Sequence, residues 1–145
     1  MRREGPRGFT LIELLLILAL LALVSGLAMP SIGRGIDALQ VRTEVARLVA
    51  FLRYGRQQAI TKGRPHSVVI DPVNHQYALR ASGEEAPRLS RAFHPSLKVS
   101  GDPLTVTFTP QGLSSGATVQ VVGARGRAYM VTVDPVSGRV VSRAQ

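Results

Sequence analysis

Few side chains in this sequence have the types and spacing that catalysis or metal binding requires. The chain contains no cysteine, which excludes disulfides, thiolate metal sites and cysteine nucleophiles. His66, His75 and His94 are widely spaced and lack a metal-ligand pattern. Ser114 and Ser115 lie in a glycine-flanked turn without the motif that surrounds a nucleophilic serine. The sequence therefore predicts no enzyme, no metal site and no cofactor.

Glu13 is the charged residue whose position most needs an explanation. It stands at the start of an apolar run in which residues 14–29 are uncharged and only Ser25 is polar. A charged side chain at the centre of a membrane helix costs about 2.5–3.5 kcal/mol, and less near its end. An ordinary secretory signal would leave this cost without a purpose.

The apolar run is long enough to be a membrane helix. Residues 9–29 would extend about 31 Å as an α-helix at 1.5 Å per residue, which matches the hydrocarbon core of a bilayer. Arg2, Arg3 and Arg7 precede the run, which predicts a cytoplasmic amino end and an exported remainder. A signal peptide also begins with basic and apolar regions, but this run is long for one. We predict a single membrane span over residues 9–30.

The stretch "RGFTLIE" connects the basic leader, the apolar run and Glu13. It resembles the class III signal of type IV pilins and type II secretion pseudopilins. The resemblance implies that prepilin peptidase removes leader residues 1–8 by cutting between Gly8 and Phe9, and then methylates the Phe9 nitrogen. It also implies that Glu13 meets the terminal amine of a neighbouring subunit during assembly. The protein would lie in the bacterial inner membrane, with its carboxyl-terminal domain in the periplasm.

Beyond the membrane span the sequence predicts an amphipathic continuation of the helix over residues 31–62. Pro30 is expected to kink the helix, because proline removes one backbone hydrogen bond. Gly63 and Pro65 predict its end. Apolar residues recur at helical spacing and predict a stripe that packs on the chain's own domain: Val41, Val45, Leu48 and Leu52.

Residues 63–145 are predicted to form an antiparallel β domain. Short β-branched runs alternate with turns and predict a meander whose apolar face is covered by the helix. Asp71, Asp102 and Asp134 each precede proline and are predicted to initiate turns. Residues 81–96 form the longest irregular stretch and are predicted to be a mobile or partner-specific loop. The fold class is therefore α+β, and the leader resemblance makes it type IV pilin-like.

The carboxyl-terminal half refines the resemblance. "VTFTPQGLSSGATVQVV" and "GRAYMVTVDPVSGRVV", together with "LRYGRQQAITKGRP" at the helix end, resemble the H-type minor pseudopilins of type II secretion, the GspH/FimT family. The resemblance implies a structural subunit near the tip of a pseudopilus that helps to export folded proteins across the outer membrane. Its partners would be the major pseudopilin and the minor pseudopilins of the I, J and K types.

A FimT-like minor type IV pilin involved in pilus assembly or DNA uptake is the alternative. The formal net charge of +9 favours anionic partners of several kinds, including acidic proteins, anionic lipid and nucleic acid. A basic patch for an anionic partner would consist of Arg125, Arg127, Arg139 and Arg143. Val141 occupies the position where the DNA-binding branch more often has a second arginine, and few aromatic residues accompany these arginines. Secretion is the favoured interpretation, and DNA binding stays open.

Overall fold

A computed structural model describes the backbone of residues 9–145 and the side chains of all of these except residues 27–36. The chain divides into two compact units, Met1–Gly35 and Ile36–Gln145. The described residues form helix α1 (Leu11–Lys62) and strands β1 (His66–Asp71), β2 (Gln76–Ala81), β3 (Leu89–Ala92), β4 (Lys98–Asp102), β5 (Thr105–Phe108), β6 (Ala117–Val122), β7 (Ala128–Val133) and β8 (Val140–Ala144). This is the predicted α+β architecture.

Both ends of α1 are set by local sequence signals. The Thr10 carbonyl accepts the Leu14 amide at 3.2 Å, and its hydroxyl accepts the Glu13 amide at 3.3 Å, so Thr10 caps the helix. At the other end Gly63 adopts a left-handed conformation with φ of +61°, which terminates the helix where the sequence predicts. The side chain of Pro30 lies outside the described residues, and the predicted kink stays a prediction.

The carboxyl-terminal half of α1 supplies one wall of the core. The predicted stripe is confirmed, because the side chains of Val41, Leu48 and Leu52 are fully buried. Gly55 continues this face, and a Cβ atom there would lie 3.0 Å from Val68 Cγ2 and 3.2 Å from Leu79 Cδ1. The absence of a side chain at this position lets the helix approach the strands closely.

The strands form two antiparallel sheets rather than the single predicted meander. The first has the order β3-β2-β1-β5 and the second β4-β6-β7-β8. Strand β5 returns to pair with β1, with Val106 opposite Val68, and β4 pairs with β6, with Gly101 opposite Val119. These pairings join distant segments, and local alternation of apolar residues does not encode them.

The predicted irregularity of residues 81–96 is wrong for Leu89–Ala92, which form β3. This strand pairs with β2, with Leu89 opposite Leu79. Its other residues are exposed, so it lacks the alternation by which a half-buried strand is recognised. The segment before it is held by Glu84, whose carboxylate accepts hydrogen bonds from Arg64 at 2.8 Å and from Arg88 Nε at 2.6 Å.

Candidate functional site

The start of α1 presents the residues singled out by the leader motif. Gly8 lies outside the described residues, and Phe9 is the first residue with a described position. Glu13 lies in the first turn with its side chain exposed. "TLIE" is also a capping sequence of the Ser/Thr-x-x-Glu type, in which the glutamate stands at the third helical position. A negative charge in the first turn interacts favourably with the helix dipole, typically by about 0.3–1 kcal/mol. The position of Glu13 is therefore favourable for the helix itself, independently of any external partner.

An apolar surface surrounds Glu13 on all sides of the helix. The exposed residues of this surface are Phe9, Leu11, Ile12, Leu14, Leu15, Leu16, Ile17, Leu18, Leu20, Leu21, Leu23 and Val24. A helix that is apolar around its whole circumference is normally buried in protein or in lipid. The helix start therefore presents one carboxylate within an apolar surface of the kind that protein or lipid normally covers.

The predicted membrane span of residues 9–30 includes residues 27–30, whose side chains lie outside the described set. Within the part of the chain that the structure describes, no helix combines the length and the hydropathy needed to cross a membrane. The span stays a prediction.

A second group of polar contacts lies where the last turns of α1 meet two connections of the β domain. Residues 109–116 connect β5 to β6, and residues 134–139 connect β7 to β8. Arg56 Nε donates to the Gly112 carbonyl oxygen at 2.9 Å, and Arg53 Nη2 donates to the Val140 carbonyl oxygen at 3.2 Å. Two arginines one helical turn apart thus bond the β5–β6 connection and the first residue of β8 to the helix.

Gly138 is required for this contact. Its φ is +63°, and a Cβ atom there would lie 2.2 Å from the Gly112 carbonyl oxygen and 2.7 Å from Arg56 Nε. Real atoms do not approach so closely, so a side chain at this position would displace the connection, the arginine or both. The glycines of "PQGLSSG" and "DPVSGR" therefore serve a tertiary contact in addition to their local turns.

Asp134 shapes the β7–β8 connection as the sequence predicts. Its Oδ1 accepts hydrogen bonds from the backbone amides of Val136 at 3.0 Å and Ser137 at 2.7 Å, and from the Ser137 hydroxyl at 2.9 Å. These hydrogen bonds, chiefly from Ser137, lower the pKa of Asp134. Asp71 has the same arrangement with Asn74 after β1, and its pKa is lowered for the same reason. Both carboxylates are turn residues.

The structure places Arg139 at one end of β7 and Arg125 and Arg127 at the other. Arg125 and Arg127 lie in the connection from β6, and Arg143 lies on β8 opposite Met130. Arg139 lies in the connection to β8, beyond the other end of a strand of six residues, which spans about 20 Å. The length of β7 therefore separates Arg139 from Arg125 and Arg127.

Arg139 instead shares a surface cavity with Arg53 and Arg56. This cavity has a volume of about 550 Å³ and is also lined by Gln57, Ser137, Gly138 and Val140. Sequence reasoning missed Arg53 and Arg56 as site residues because they read as part of the solvated face of an amphipathic helix. Their spacing of three residues places them on one side of that helix, and this spacing could have identified them as a pair of neighbouring positive charges.

A buried carboxylate lies elsewhere on α1. Glu44 is 6% exposed; its Oε1 accepts a hydrogen bond from Arg47 at 2.6 Å, and its Oε2 has no partner among the described residues. Tyr77 packs against Phe51 and Phe93 with ring centroids 4.7 and 4.6 Å away. Burial raises the pKa of Tyr77, and the negative charge of Glu44 adds to the effect. Nothing in the local sequence pattern around Glu44 indicates that it is buried.

Among the described residues, no three histidine, cysteine, aspartate or glutamate side chains are placed to hold a metal ion. His66 is fully buried at the start of β1, with Nδ1 3.0 Å from the Arg64 carbonyl oxygen. His94 lies in the connection from β3 to β4, with Nδ1 2.9 Å from the Ser96 hydroxyl. Both contacts are local, because each partner lies two residues away along the chain.

The chain is similar to known proteins in its sequence. The family model of the type II transport protein GspH matches residues 44–138, and that of the prokaryotic N-terminal methylation motif matches residues 5–29. The type II secretion system protein H of Xanthomonas campestris pv. campestris is 31% identical over 144 residues, which cover 97% of this chain and 85% of that protein.

The fold is also similar to solved structures. The type IV minor pilin FimU of Pseudomonas aeruginosa has a TM-score of 0.63 at 19% identity, over 75% of this chain and 95% of that one. The minor pseudopilin EpsH of the Vibrio cholerae type II secretion system has a TM-score of 0.60 at 11% identity, over 75% of this chain and 96% of that one. At these identities the likeness is one of fold, and it is the predicted pilin-like fold.

Proposed function

The chain belongs to the GspH family of type II transport proteins and is a minor pseudopilin of type II secretion, and we propose that it is built into a pseudopilus near the filament tip. Its neighbours there are the major pseudopilin and the minor pseudopilins of the I, J and K types. In this position it helps to move folded proteins across the outer membrane as a structural subunit, without catalysing a reaction.

Processing at the amino end prepares the subunit. The methylation motif over residues 5–29 supports recognition by prepilin peptidase. The peptidase cuts between Gly8 and Phe9 and methylates the new amine of Phe9. Residues 9–30 anchor the chain in the inner membrane, with the amino end cytoplasmic and the β domain periplasmic. A kink at Pro30 adapts the helix to its neighbours in the filament.

The observation that carries the proposal is Glu13 as the one carboxylate on an apolar, capped helix start. Cleavage adds an amine at Phe9, so each subunit then has one positive and one negative group near the same end. Pairing Glu13 with the amine of a neighbouring subunit neutralises both groups as the apolar surfaces come together. Leaving one member of such a pair buried alone costs about 3–5 kcal/mol. Because of this penalty, docking that leaves either charge unpaired is disfavoured.

Glu13→Gln tests the proposal, with Glu85→Gln as the matched control. Both substitutions remove one negative charge, and Glu85 is exposed in the β domain far along the chain from the leader. Processing is followed by mass spectrometry of the mature amino terminus, and incorporation by cross-linking to the other pseudopilins. We expect both variants to be cut after Gly8, and Glu13→Gln alone to lose incorporation and secretion.

Two results would each contradict one part of this proposal. A mature chain that begins at Met1, or a cut near Ala28, would contradict processing by prepilin peptidase. Normal incorporation and secretion with both Glu13→Gln and Glu13→Ala would show that the carboxylate has no part in assembly.

A DNA-uptake role receives less support than secretion. The separation of Arg139 from Arg125 and Arg127 by the length of β7 favours the single basic patch of the alternative less. The 31% identical relative is a type II secretion protein. Both observations support the secretion proposal over its alternative.

A further inference from the structure

The cavity between Arg53, Arg56 and Arg139 has the chemistry of an anion site. We propose that it binds a carboxylate from an acidic segment of a neighbouring pseudopilin. This inference rests on the proposed function, because it assigns the chemistry of one partner within the pseudopilus. The site has a volume of about 550 Å³, and Gln57 and Ser137 add polar groups to its lining.

Two of the three arginines are held in place before any ligand arrives. Arg56 Nε is bound to the Gly112 carbonyl oxygen at 2.9 Å, and Arg53 Nη2 to the Val140 carbonyl oxygen at 3.2 Å. A guanidinium carries five N–H donors, so each side chain keeps donors for a ligand beyond the bond described. Ordering these long side chains in advance lowers the entropy cost of binding.

The three positive charges of this site have no anionic partner in the described part of the chain. The ion pairs there involve Arg47, Arg64 and Arg88, and none of the cavity arginines. Asp134, in the connection that carries Arg139, uses its Oδ1 for three hydrogen bonds inside its own turn. Like charges held together repel one another, so a bound carboxylate relieves repulsion as well as accepting hydrogen bonds.

The shape of the site favours a carboxylate over nucleic acid. Binding to DNA gains its strength from many phosphates along a basic track, and single strands also need aromatic stacking platforms. Arg125 and Arg127 lie at the opposite end of β7, and none of the described residues that line the cavity is aromatic. A planar carboxylate matches the fork of a guanidinium, and a cavity of about 550 Å³ leaves room for the chain of the acidic segment that carries it.

The test measures binding of a fluorescent oligoglutamate peptide with blocked ends to the full mature chain in detergent micelles, at about 150 mM salt to screen distant charges. The site variant is Arg53→Gln/Arg139→Gln, which leaves Arg56 and its hydrogen bond to the Gly112 carbonyl oxygen in place. The control is Arg125→Gln/Arg127→Gln, which removes the same charge from the other end of β7. Arg139→Gln alone is a second site variant, and it leaves intact the described bond from Arg53 to the backbone.

We expect the site variant to weaken peptide binding by about tenfold or more, Arg139→Gln to weaken it by a smaller factor, and the control to change it by less than about twofold. Equal losses of peptide affinity in the two double variants would show that binding depends on overall charge and not on this cavity, and would overturn the inference. It would also be overturned by a wild-type chain that does not bind the peptide. The cavity would instead be part of a nucleic-acid surface if duplex DNA bound more tightly than the peptide and if both double variants weakened DNA binding.

Secretion assays in cells separate this inference from the proposed function. We expect the site variant to be processed normally and to lose cross-linking to its neighbours, whereas the control is incorporated as wild type. Normal incorporation of the site variant, together with loss of incorporation by Glu13→Gln, would overturn the carboxylate site and leave the pseudopilin function standing. Normal incorporation of both variants would overturn the carboxylate site and also the role of Glu13 in assembly.

Discussion

Gly138→Ala should destabilise the β domain by more than its backbone conformation alone explains. A residue with a side chain in the left-handed region costs about 1–2 kcal/mol. At Gly138, with φ of +63°, the added Cβ would also lie 2.2 Å from the Gly112 carbonyl oxygen and 2.7 Å from Arg56 Nε. Overpacking of this kind typically costs about 1–3 kcal/mol. The expected total loss of unfolding free energy is therefore about 2–5 kcal/mol.

Gly126→Ala provides a control that separates the two contributions. Gly126 has φ of +82°, and a Cβ atom there would meet nothing within 4 Å. This substitution incurs the conformational cost alone, so we expect a loss of about 1–2 kcal/mol. The difference between the two variants measures the contact between the β7–β8 connection, Gly112 and Arg56.

Urea unfolding followed by tyrosine fluorescence provides the measurement. The three tyrosines, Tyr54, Tyr77 and Tyr129, all lie in the unit Ile36–Gln145, so the signal reports on that unit within the full chain. The unfolding free energy is taken from the midpoint and the slope of each transition. Equal stabilities of the Gly138→Ala and Gly126→Ala variants would refute the reasoning, because the clash would then have no energetic consequence.

Two further predictions concern the core and the effect of pH. Leu48→Ala should lower the unfolding free energy by about 2–5 kcal/mol because Leu48 is fully buried, and a loss below about 1 kcal/mol would contradict the packing of α1 on the sheets. The pKa of Glu84 is lowered from its ordinary 4.5 to about 2, chiefly by hydrogen bonds from Arg88 and then Arg64. The contribution of Glu84 to stability is therefore present above pH 4.5 and is lost as the pH falls towards 2. Urea unfolding across this range should show a shallower decline of stability with Glu84→Gln than with wild type, and an unchanged decline would contradict the assignment.

Much of this protein could be predicted because its signals are local. The leader motif, the stripe from Val41 to Leu52 and the helix stop at Gly63 each depend on residues a few positions apart. Such spacings encode helical periodicity, capping and turn conformation directly. The sequence alone therefore determined the helix, the β character of the remainder and the position of Glu13 in the first helical turn.

The strand partners and the convergence of the arginines were decided only by the tertiary structure. Arg53 and Val140 lie 87 residues apart along the chain and meet through a hydrogen bond of 3.2 Å. Nothing near Arg53 in the sequence indicates that contact, and nothing near Arg139 indicates that it lies apart from Arg125 and Arg127. Strand pairing depends on burial and hydrogen bonding summed over distant segments, so several pairings fit the same local pattern until the whole core is packed. The two sheets, the Arg56 contact and the division of the predicted patch follow from that packing.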